Sequence, residues 1–434
     1  MKRTLGEVKA LMDDWEVKFV RLCFCDIFGS LKNIAIMADQ LEDALEYGVS
    51  FDASSVEGFG KVNESDLLLH PDLDTFAILP WRPAQRSVAR FYCSVSYPDG
   101  RPFEGDGRRI LSDAVSRAAE GGYSFLIGPE CEFYLFETDE RGEATLRPFD
   151  RAGYFDLAPL DRGENVRRDI CFALEELGIV PQRSHHESGP GQNEIDFSPS
   201  APLAAADDYL TFKMAVKAIA SSNGLFASFL PKPLKEESGS GLHVNISVHR
   251  NGDNLFAKDL EEGAGAFMAG ILEHIKEITV FLNPLPGSYD RLGAKEAPSL
   301  VSWSCQNRSS LVRLPFARGR SCRMELRSPD CACNPYFAFS LLLAAGMEGL
   351  EKSLVLGASY DQDSNSKEAH SLLPGLPANL GEAVEEARAS AFVRSVLPER
   401  TLDSFLSLKE RQWVEYSGSA DRDMLERRRY FEHI

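Results

Sequence analysis

Residues His185 to Phe197 read HHESGPGQNEIDF. Two carboxylates, Glu187 and Glu194, flank a Gly-Pro-Gly bend in which Gly189 and Gly191 let the backbone turn sharply and approach a ligand. Gln192 and Asn193 add hydrogen-bonding groups without charge. The bend leads into a strand expected over 192–198, and the whole reads as one wall of an acidic, metal-binding site. Taken alone it has a bland alternative, since an acidic turn between strands is ordinarily just solvated.

Working outward, the same chemistry recurs at a spacing of two. Glu130 and Glu132 in GPECEF sit on a strand expected over 123–136, so both side chains leave one face of a sheet. Adjacent carboxylates repel unless a cation lies between them, one is protonated, or both face water. His243, Asn245 and Ser247 in SGSGLHVNIS, and Arg323, Glu325 and Arg327 in RMELR, repeat the pattern. Three strands with functional groups on one face are hard to read as solvated surface, because a central sheet is covered on both sides. Five glutamates and one histidine thus converge: Glu130, Glu132, Glu187, Glu194, Glu325 and His243. Oxygen-dominated ligation suits Mg²⁺ or Mn²⁺ and disfavours zinc.

Between 308 and 327 the chain carries six arginines, Arg308, Arg313, Arg318, Arg320, Arg323 and Arg327. Beside a carboxylate cage they suggest a grip on phosphates and a carboxylate; the alternative is a solvated basic edge paired with the surplus acids. No GxxxxGK[ST] and no strand-linked GxGxxG occurs, so a nucleotide would be held without a P-loop or a Rossmann turn. Divalent metals with arginines imply phosphoryl transfer, in which positioning and charge neutralisation do most of the catalysis.

The 434 residues and 44% hydrophobic content allow two domains in an α+β arrangement. Residues 1–104 read as a small, mostly antiparallel domain. It holds a first amphipathic helix, a hairpin pattern over 17–25 and 31–37, a helix over 40–47 capped by Asp39 and stopped by Gly48, and a strand over 87–97. Residues 105–434 form a larger unit. Helices are expected over 107–120, 163–177 and 205–222, with strands over 123–136, 192–198, 225–230, 241–249, 311–315 and 321–328, and an almost wholly helical part from 333 onward.

The formal charge of −19 argues against a nucleic-acid partner, which needs a contiguous basic face. The start, MKRTLGEVKALMDDWE, is charged and lacks the apolar core of a secretory signal. The longest apolar run, Tyr336 to Met347, is shorter than the roughly 20 residues of a membrane span. A cytoplasmic protein without a membrane partner is expected. Nine cysteines without framework spacing predict reduced thiols, and the single-residue spacing of Cys23/Cys25 and Cys331/Cys333 does not suit zinc.

Six segments together resemble bacterial type I glutamine synthetase over nearly the whole chain: FDASSVEGFGKVNESD (51–66), GPECEFYLF (128–136), HHESGPGQNE (185–194), LPKPLKEESGSGLHV (230–244), NRSSLVRLP (307–315) and RMELRSPD (323–330). The resemblance implies an N-terminal β-grasp domain joined to a larger catalytic domain, in a homo-oligomer of two stacked hexamers with active sites between subunits. It implies ATP-dependent ligation of ammonia to the γ-carboxylate of L-glutamate through γ-glutamyl phosphate, giving glutamine, with two or more Mg²⁺ or Mn²⁺ per site.

By that resemblance Glu132, Glu187 and Glu194 hold the first metal, and Glu130, His243 and Glu325 the second. Arg313, Arg323 and Arg320 meet the ATP phosphates, with Ser247 near the nucleotide. Arg291, Arg327 and the backbone at Gly239 hold glutamate, and Arg308 lies between glutamate and the transferring phosphate. Glu296, in KEAPS, matches a mobile flap. Asp52, Ser55, Asp66, Tyr154, Glu187 and Glu296 match the ammonium pocket, whose carboxylates hold NH₄⁺ and take its proton.

Several positions depart from the family pattern. Ser238 stands for a usual Asn, Ala53 for Gly, Asn245 for His, Gly287 for Asn and Gln306 for a frequent Arg. They keep open a γ-glutamyl ligase for a small amine such as methylamine, ethanolamine or a polyamine. A catalytically silent scaffold is a further alternative, which loss of metal ligands would mark; none of the six is lost. No tyrosine matches the adenylylation site of some relatives, and Lys61 falls where a feedback-inhibited branch carries Arg.

Overall fold

The computed structural model describes residues 2–60, 66–82, 85–364 and 366–434; Lys61 lies outside them. The N-terminal part opens with α1 (Leu5–Asp14), started by a reciprocal cap in which Glu7 N–H donates to the Thr4 hydroxyl and Thr4 N–H to the Glu7 carboxylate. There follow β1 (Phe19–Cys25), β2 (Leu31–Met37), α2 (Leu41–Tyr47), β3 (Val49–Asp52), β4 (Asp66–Pro71), β5 (Ala77–Ile78) and β6 (Val88–Ser96). Among the described residues they form a six-stranded sheet ordered β2-β1-β6-β4-β3, with β5 on β6. The β1/β6 pair is parallel and the other pairs are antiparallel. The expected Asp39 cap is not made. Ala38–Gln40 form a 3₁₀ turn, and Gln40, at the cap position, accepts instead from Met37 N–H at 3.2 Å. Gly48, at φ +74°, stops α2 as anticipated.

The larger part runs through α3 (Gly107–Glu120), β7 (Tyr123–Thr138), β8 (Ala144–Pro148), α4 (Glu164–Glu176), β9 (Pro181–His186), β10 (Gln192–Phe197), α5 (Pro202–Ser222), β11 (Leu225–Ser228), β12 (Leu242–Arg250) and β13 (Asp253–Asn254). It continues with α6 (Ala264–Leu282), α7 (Ser288–Arg291), β14 (Trp303–Ser304), β15 (Val312–Arg313), β16 (Met324–Leu326) and α8 (Pro335–Glu351), then α9 (Lys367–Leu372), α10 (Leu380–Ala389), α11 (Ala391–Val396), α12 (Glu399–Gly418) and α13 (Arg422–Glu426). The second sheet is ordered β14-β15-β16-β12-β7-β10-β9, with β11 and β8 on β7 and β13 on β12. The α+β class therefore holds.

Several elements were not anticipated, among them β3, β4, β5, β8, β13, β14 and α7, and two bear on the core and the site. Helix α6, AGAFMAGILEHIKEITVFL, is buried along most of its length, so it offers no polar face for a helical period to show. It crosses α8 at paired glycines: a Cβ on Gly270 would lie 2.1 Å from Ala345 O, and one on Gly349 2.1 Å from Ala266 O. Strand β9, PQRSHH, is polar and, among the described residues, pairs only with β10 at the sheet edge. Helix α5 begins three residues before the expected start because Pro202 takes its first turn.

The two sheets are tied through buried polar contacts. Asn334 Nδ2 donates to Asp26 O and Ile27 O at 3.2 Å each, and the Arg108 guanidinium spans Asp72 and Asp207. Among the described residues no helix is long and apolar enough to cross a membrane.

Candidate active site

Strands β16, β12, β7, β10 and β9 are consecutive neighbours, and their antiparallel registers turn the period-two spacing into rows across one face. In one row Arg183 pairs with Asp196, Asp196 with Glu130, and Glu130 with His243. In the next, His185 pairs with Glu194 and Glu194 with Glu132. On the other side Asn245 pairs with Glu325, and Glu325 with Arg313. Residues directly opposite on one face have Cβ atoms about 5 Å apart, within joint reach of a cation. The rows floor a cavity of about 490 Å³.

Ligand atoms of Glu130, His243 and Glu325 lie within 4.8 Å of one another, as do those of His185, Glu187 and Glu194. The first group is the expected second metal position. In the other, His185 stands with Glu187 and Glu194, its ring nitrogens 3.6 and 3.9 Å from their carboxylates. Glu132 shares the cavity wall, but its Oε2 accepts from Gly241 N–H at 2.8 Å and Gln192 Nε2 at 3.1 Å. These bonds fix its orientation beside the group.

The electrostatics differ between the two groups. Burial raises Glu187, helped by the Glu132 charge, to about 7; burial also raises Glu194 well above the carboxylate range, with Asp196 and Glu132 adding repulsion. Glu130 runs the other way. Burial opposes its ionisation, yet His243, the Asn245 amide and Arg323 together lower it to about 2. Glu325, 3% exposed, is clasped by Arg327 at 2.6 Å and Arg313 at 3.0 Å. Closely packed carboxylate oxygens with one imidazole nitrogen make a donor set that fits hard divalent cations.

Four of the six clustered arginines, Arg308, Arg313, Arg323 and Arg327, line the same cavity as the carboxylates, together with Tyr154, Phe316 and Glu296. A hydrogen bond from Arg308 to Tyr154 raises the guanidinium further. Arg318 and Arg320 are not brought in: both are exposed around the 3₁₀ turn Gly319–Ser321, and Arg318 lies over Phe316. Ser247 is buried on the polar face of β12 beside His249.

A second lobe of about 360 Å³ opens beside the first, lined by Ser238, Gly239, Arg291, Glu296 and Arg327. Arg291 is buried and donates to Ser328 O at 2.7 Å and Arg327 O at 3.1 Å. The absence of a side chain at Gly239 matters here, because a Cβ would meet Pro231 O at 2.5 Å and Arg291 Cγ at 2.7 Å. Asp52, Ser55 and Asp66 are outside both lobes. Asp52 opposes Asp66 across β3/β4 and accepts from the Ser54 and Ser55 hydroxyls on the exposed face of the first sheet.

Two departures from the family pattern find local reasons. Asn245 links Glu130 to Arg323, donating to Glu130 Oε1 at 2.9 Å and accepting from Arg323 Nε at 2.7 Å. Gly287 leaves space for Glu426, whose Oε1 would sit 2.1 Å from an added Cβ. The sequence reading assigned no role to His185 or Asp196. The period of two within β10 was the signal for Asp196, which it puts on the face of Glu194; His185 meets Glu194 only through the β9/β10 register.

Fold and cavity define a two-sheet chain whose cavity joins a carboxylate floor to clustered arginines, suited to divalent cations and phosphate. The family model for the glutamine synthetase β-grasp domain matches residues 16–98, and that for the glutamine synthetase catalytic domain matches residues 104–430. The chain belongs to the glutamine synthetase family, an ATP-dependent ligase family that generally uses divalent metals. It is 46% identical over 425 residues to the glutamine synthetase of Clostridium saccharobutylicum, covering 96% of each chain. It is 42% identical to that of Thermus thermophilus, again covering 96% of each. Among solved structures, a GmaS/ADP complex and apo GmaS without ligand each superimpose with TM-score 0.87 at 31% identity, covering 97% of this chain and 98% of theirs.

Proposed function

We propose that the protein is a glutamate–ammonia ligase, converting L-glutamate, ATP and ammonium to glutamine, ADP and phosphate. The observation that carries this reading is the convergence, in one cavity, of the Glu130/His243/Glu325 and His185/Glu187/Glu194 groups with four arginines. In this reading Glu132, Glu187 and Glu194 hold one divalent cation, and Glu130, His243 and Glu325 another. When bound, the cations neutralise phosphate charge and polarise the transferring group. Arg313 and Arg323 face the nucleotide phosphates, with Ser247 toward the nucleotide. Gly239, Arg291 and Arg327 orient glutamate.

A γ-carboxylate oxygen of glutamate attacks the γ-phosphorus, the bond to ADP breaks, and Arg308 offsets the charge on the moving phosphoryl group. Glu296 shields the acyl phosphate from water. Asp52, Ser55, Asp66, Tyr154 and Glu187 hold ammonium and accept its proton. Ammonia then attacks the γ-carbon and phosphate leaves. Because Asp52, Ser55 and Asp66 lie on the first sheet, a second copy of the chain supplies them, in keeping with the stacked-ring assembly and cytoplasmic location expected of the family.

Identities of 41–46% to curated glutamine synthetases against 31% to GmaS favour ammonia. Ser238, small and lining the second lobe, supports a second reading, a γ-glutamyl ligase for a small amine. The test measures ADP release with glutamate, ATP and Mg²⁺ while ammonium or a panel of amines is offered at equal concentration. Ammonium should be preferred. Strong preference for methylamine or ethanolamine sinks the first reading, and no turnover with any acceptor points to a silent scaffold.

A further inference from the structure

The alternation of β9 sends His186 away from the cavity, on the face opposite His185. Its ring is fully buried between two acceptors, with Nε2 2.8 Å from Asp150 Oδ1 and Nδ1 2.7 Å from the Glu187 carbonyl oxygen. A carbonyl and a carboxylate only accept, so both ring nitrogens donate and the ring is an imidazolium paired with Asp150. Asp150, itself buried, also accepts from Gly191 N–H and from Arg162 N–H, each at 3.0 Å. The pair therefore holds both ends of the 187–191 bend, one through a carbonyl oxygen and the other through an N–H. It is tied in turn to β7, because Phe149 N–H donates to Leu135 O at 2.9 Å and Leu135 N–H to Gly191 O at 2.8 Å. On its other side, His186 O accepts from Phe155 N–H at 3.1 Å. Phe155 has φ +61°, a conformation a bulky residue keeps only where its surroundings fix it. Its ring stacks on Tyr154 with centroids 4.0 Å apart and meets the His185 ring edge-on at 4.8 Å.

We propose that Asp150 and His186 are positioning residues for the ligation: together they set the Glu187 carboxylate beside Glu194 and, through Phe155, set Tyr154 on the cavity wall. Neither lines the cavity or its second lobe, so both act through other groups. The Glu187 carbonyl and side chain leave adjoining backbone atoms, and fixing that peptide limits where the carboxylate can reach. An imidazolium with a carboxylate behind it is a stronger and more directional clamp than a neutral ring. One buried pair thus couples a metal ligand to the wall that meets the nitrogen acceptor.

The inference rests on the proposed roles of Glu187 and Tyr154, and the experiment separates its failure from theirs. Mn²⁺ alone is titrated into the full chain and followed by the electron paramagnetic resonance signal of free Mn²⁺; KM is then measured for the nitrogen acceptor and for ATP. Asp150→Asn keeps the shape but removes the charge and turns one acceptor into a donor. It should weaken one Mn²⁺ by about 10- to 100-fold while the other keeps its affinity, as expected of a partner one step behind a metal ligand. The acceptor KM should rise about tenfold with the ATP KM within about twofold. His186→Gln, which removes the ring and its charge, should act in the same direction and keeps the test open if Asp150→Asn fails to fold. A merely structural role lowers kcat with the amount of folded protein and leaves both KM values and both Mn²⁺ affinities unchanged; that result overturns the proposal, as does equal weakening of both ions. If the wild type binds no Mn²⁺, the reading of the cavity itself fails, and the positioning role with it.

Discussion

Replacing Arg167 by methionine should loosen the metal-bearing hairpin from behind. Arg167, on α4, is 4% exposed and grips both strands on the face opposite the carboxylates. Its Nε donates to Ser184 Oγ on β9 at 3.1 Å, and one terminal nitrogen to Asn193 Oδ1 on β10 at 2.6 Å. The same group makes a two-pronged pair with Asp161 at 2.6 and 3.1 Å, and Asp161 is itself 4% exposed. Methionine keeps the stem but strands the Asp161 carboxylate with Gly163 N–H at 2.9 Å. Breaking such a buried pair from one side costs about 3–5 kcal/mol.

Felt locally, that cost accelerates amide exchange in Pro181–His186 and Gln192–Phe197 by about 10²- to 4×10³-fold, since about 1.4 kcal/mol is a factor of ten. Hydrogen–deuterium exchange of the intact chain measures it, with strands of the first sheet as internal reference. Adding Asp161→Asn removes the stranded charge while keeping an acceptor for Gly163, and should restore most of the protection. Unchanged exchange in Arg167→Met, or a double variant worse than either single one, would refute the reasoning.

Gly239→Ala drives a Cβ into Pro231 O and the pinned Arg291 stem; overpacking of about 1–3 kcal/mol should raise the KM for glutamate about tenfold or more, and an unchanged KM counts against the glutamate lobe. Glu296→Ala should leave nucleotide binding nearly intact while ADP release outruns amide formation, a ratio read by paired ADP and product assays; full coupling removes the shielding role. Lys409 is 2% exposed beside Phe28 and Phe405, and burial lowers it from 10.5 to about 7, with Asp26, Glu57 and Asp330 pulling the other way. Across pH 7–10 the unfolded chain then holds a proton the folded one lacks, so this group's contribution to stability rises with pH. Lys409→Met should therefore be the more stable protein near pH 7, by on the order of a few kcal/mol, with the advantage shrinking by pH 9–10; urea melts showing a constant difference would contradict this.

The carboxylate faces were legible because a strand alternates strictly: Glu130/Glu132, His243/Asn245/Ser247 and Arg323/Glu325/Arg327 each announce one face without knowledge of their neighbours. Strand order is set by long-range pairing and was not legible from those segments alone. That order joins Asp196 to Glu130, and makes His185 a partner of Glu194. Helix α6 escaped notice because its sequence is apolar almost all round. Asp39 misled because a 3₁₀ turn occupies the place where a cap would act. Six arginines close in sequence suggested one cluster, yet the turn Gly319–Ser321 carries Arg318 and Arg320 away from the cavity. Spacing within a strand survives folding, whereas spacing across a turn does not fix direction.

The most direct measurement is anomalous scattering from crystals grown with Mn²⁺, ATP and methionine sulfoximine, whose phosphorylated form mimics the tetrahedral intermediate. The account predicts one Mn²⁺ among Glu130, His243 and Glu325, another beside Glu132, Glu187 and Glu194, and the amino-acid end of the inhibitor on Arg291 and Gly239. An ordered inhibitor without metal on the carboxylate floor, or one bound outside the two lobes, would contradict it.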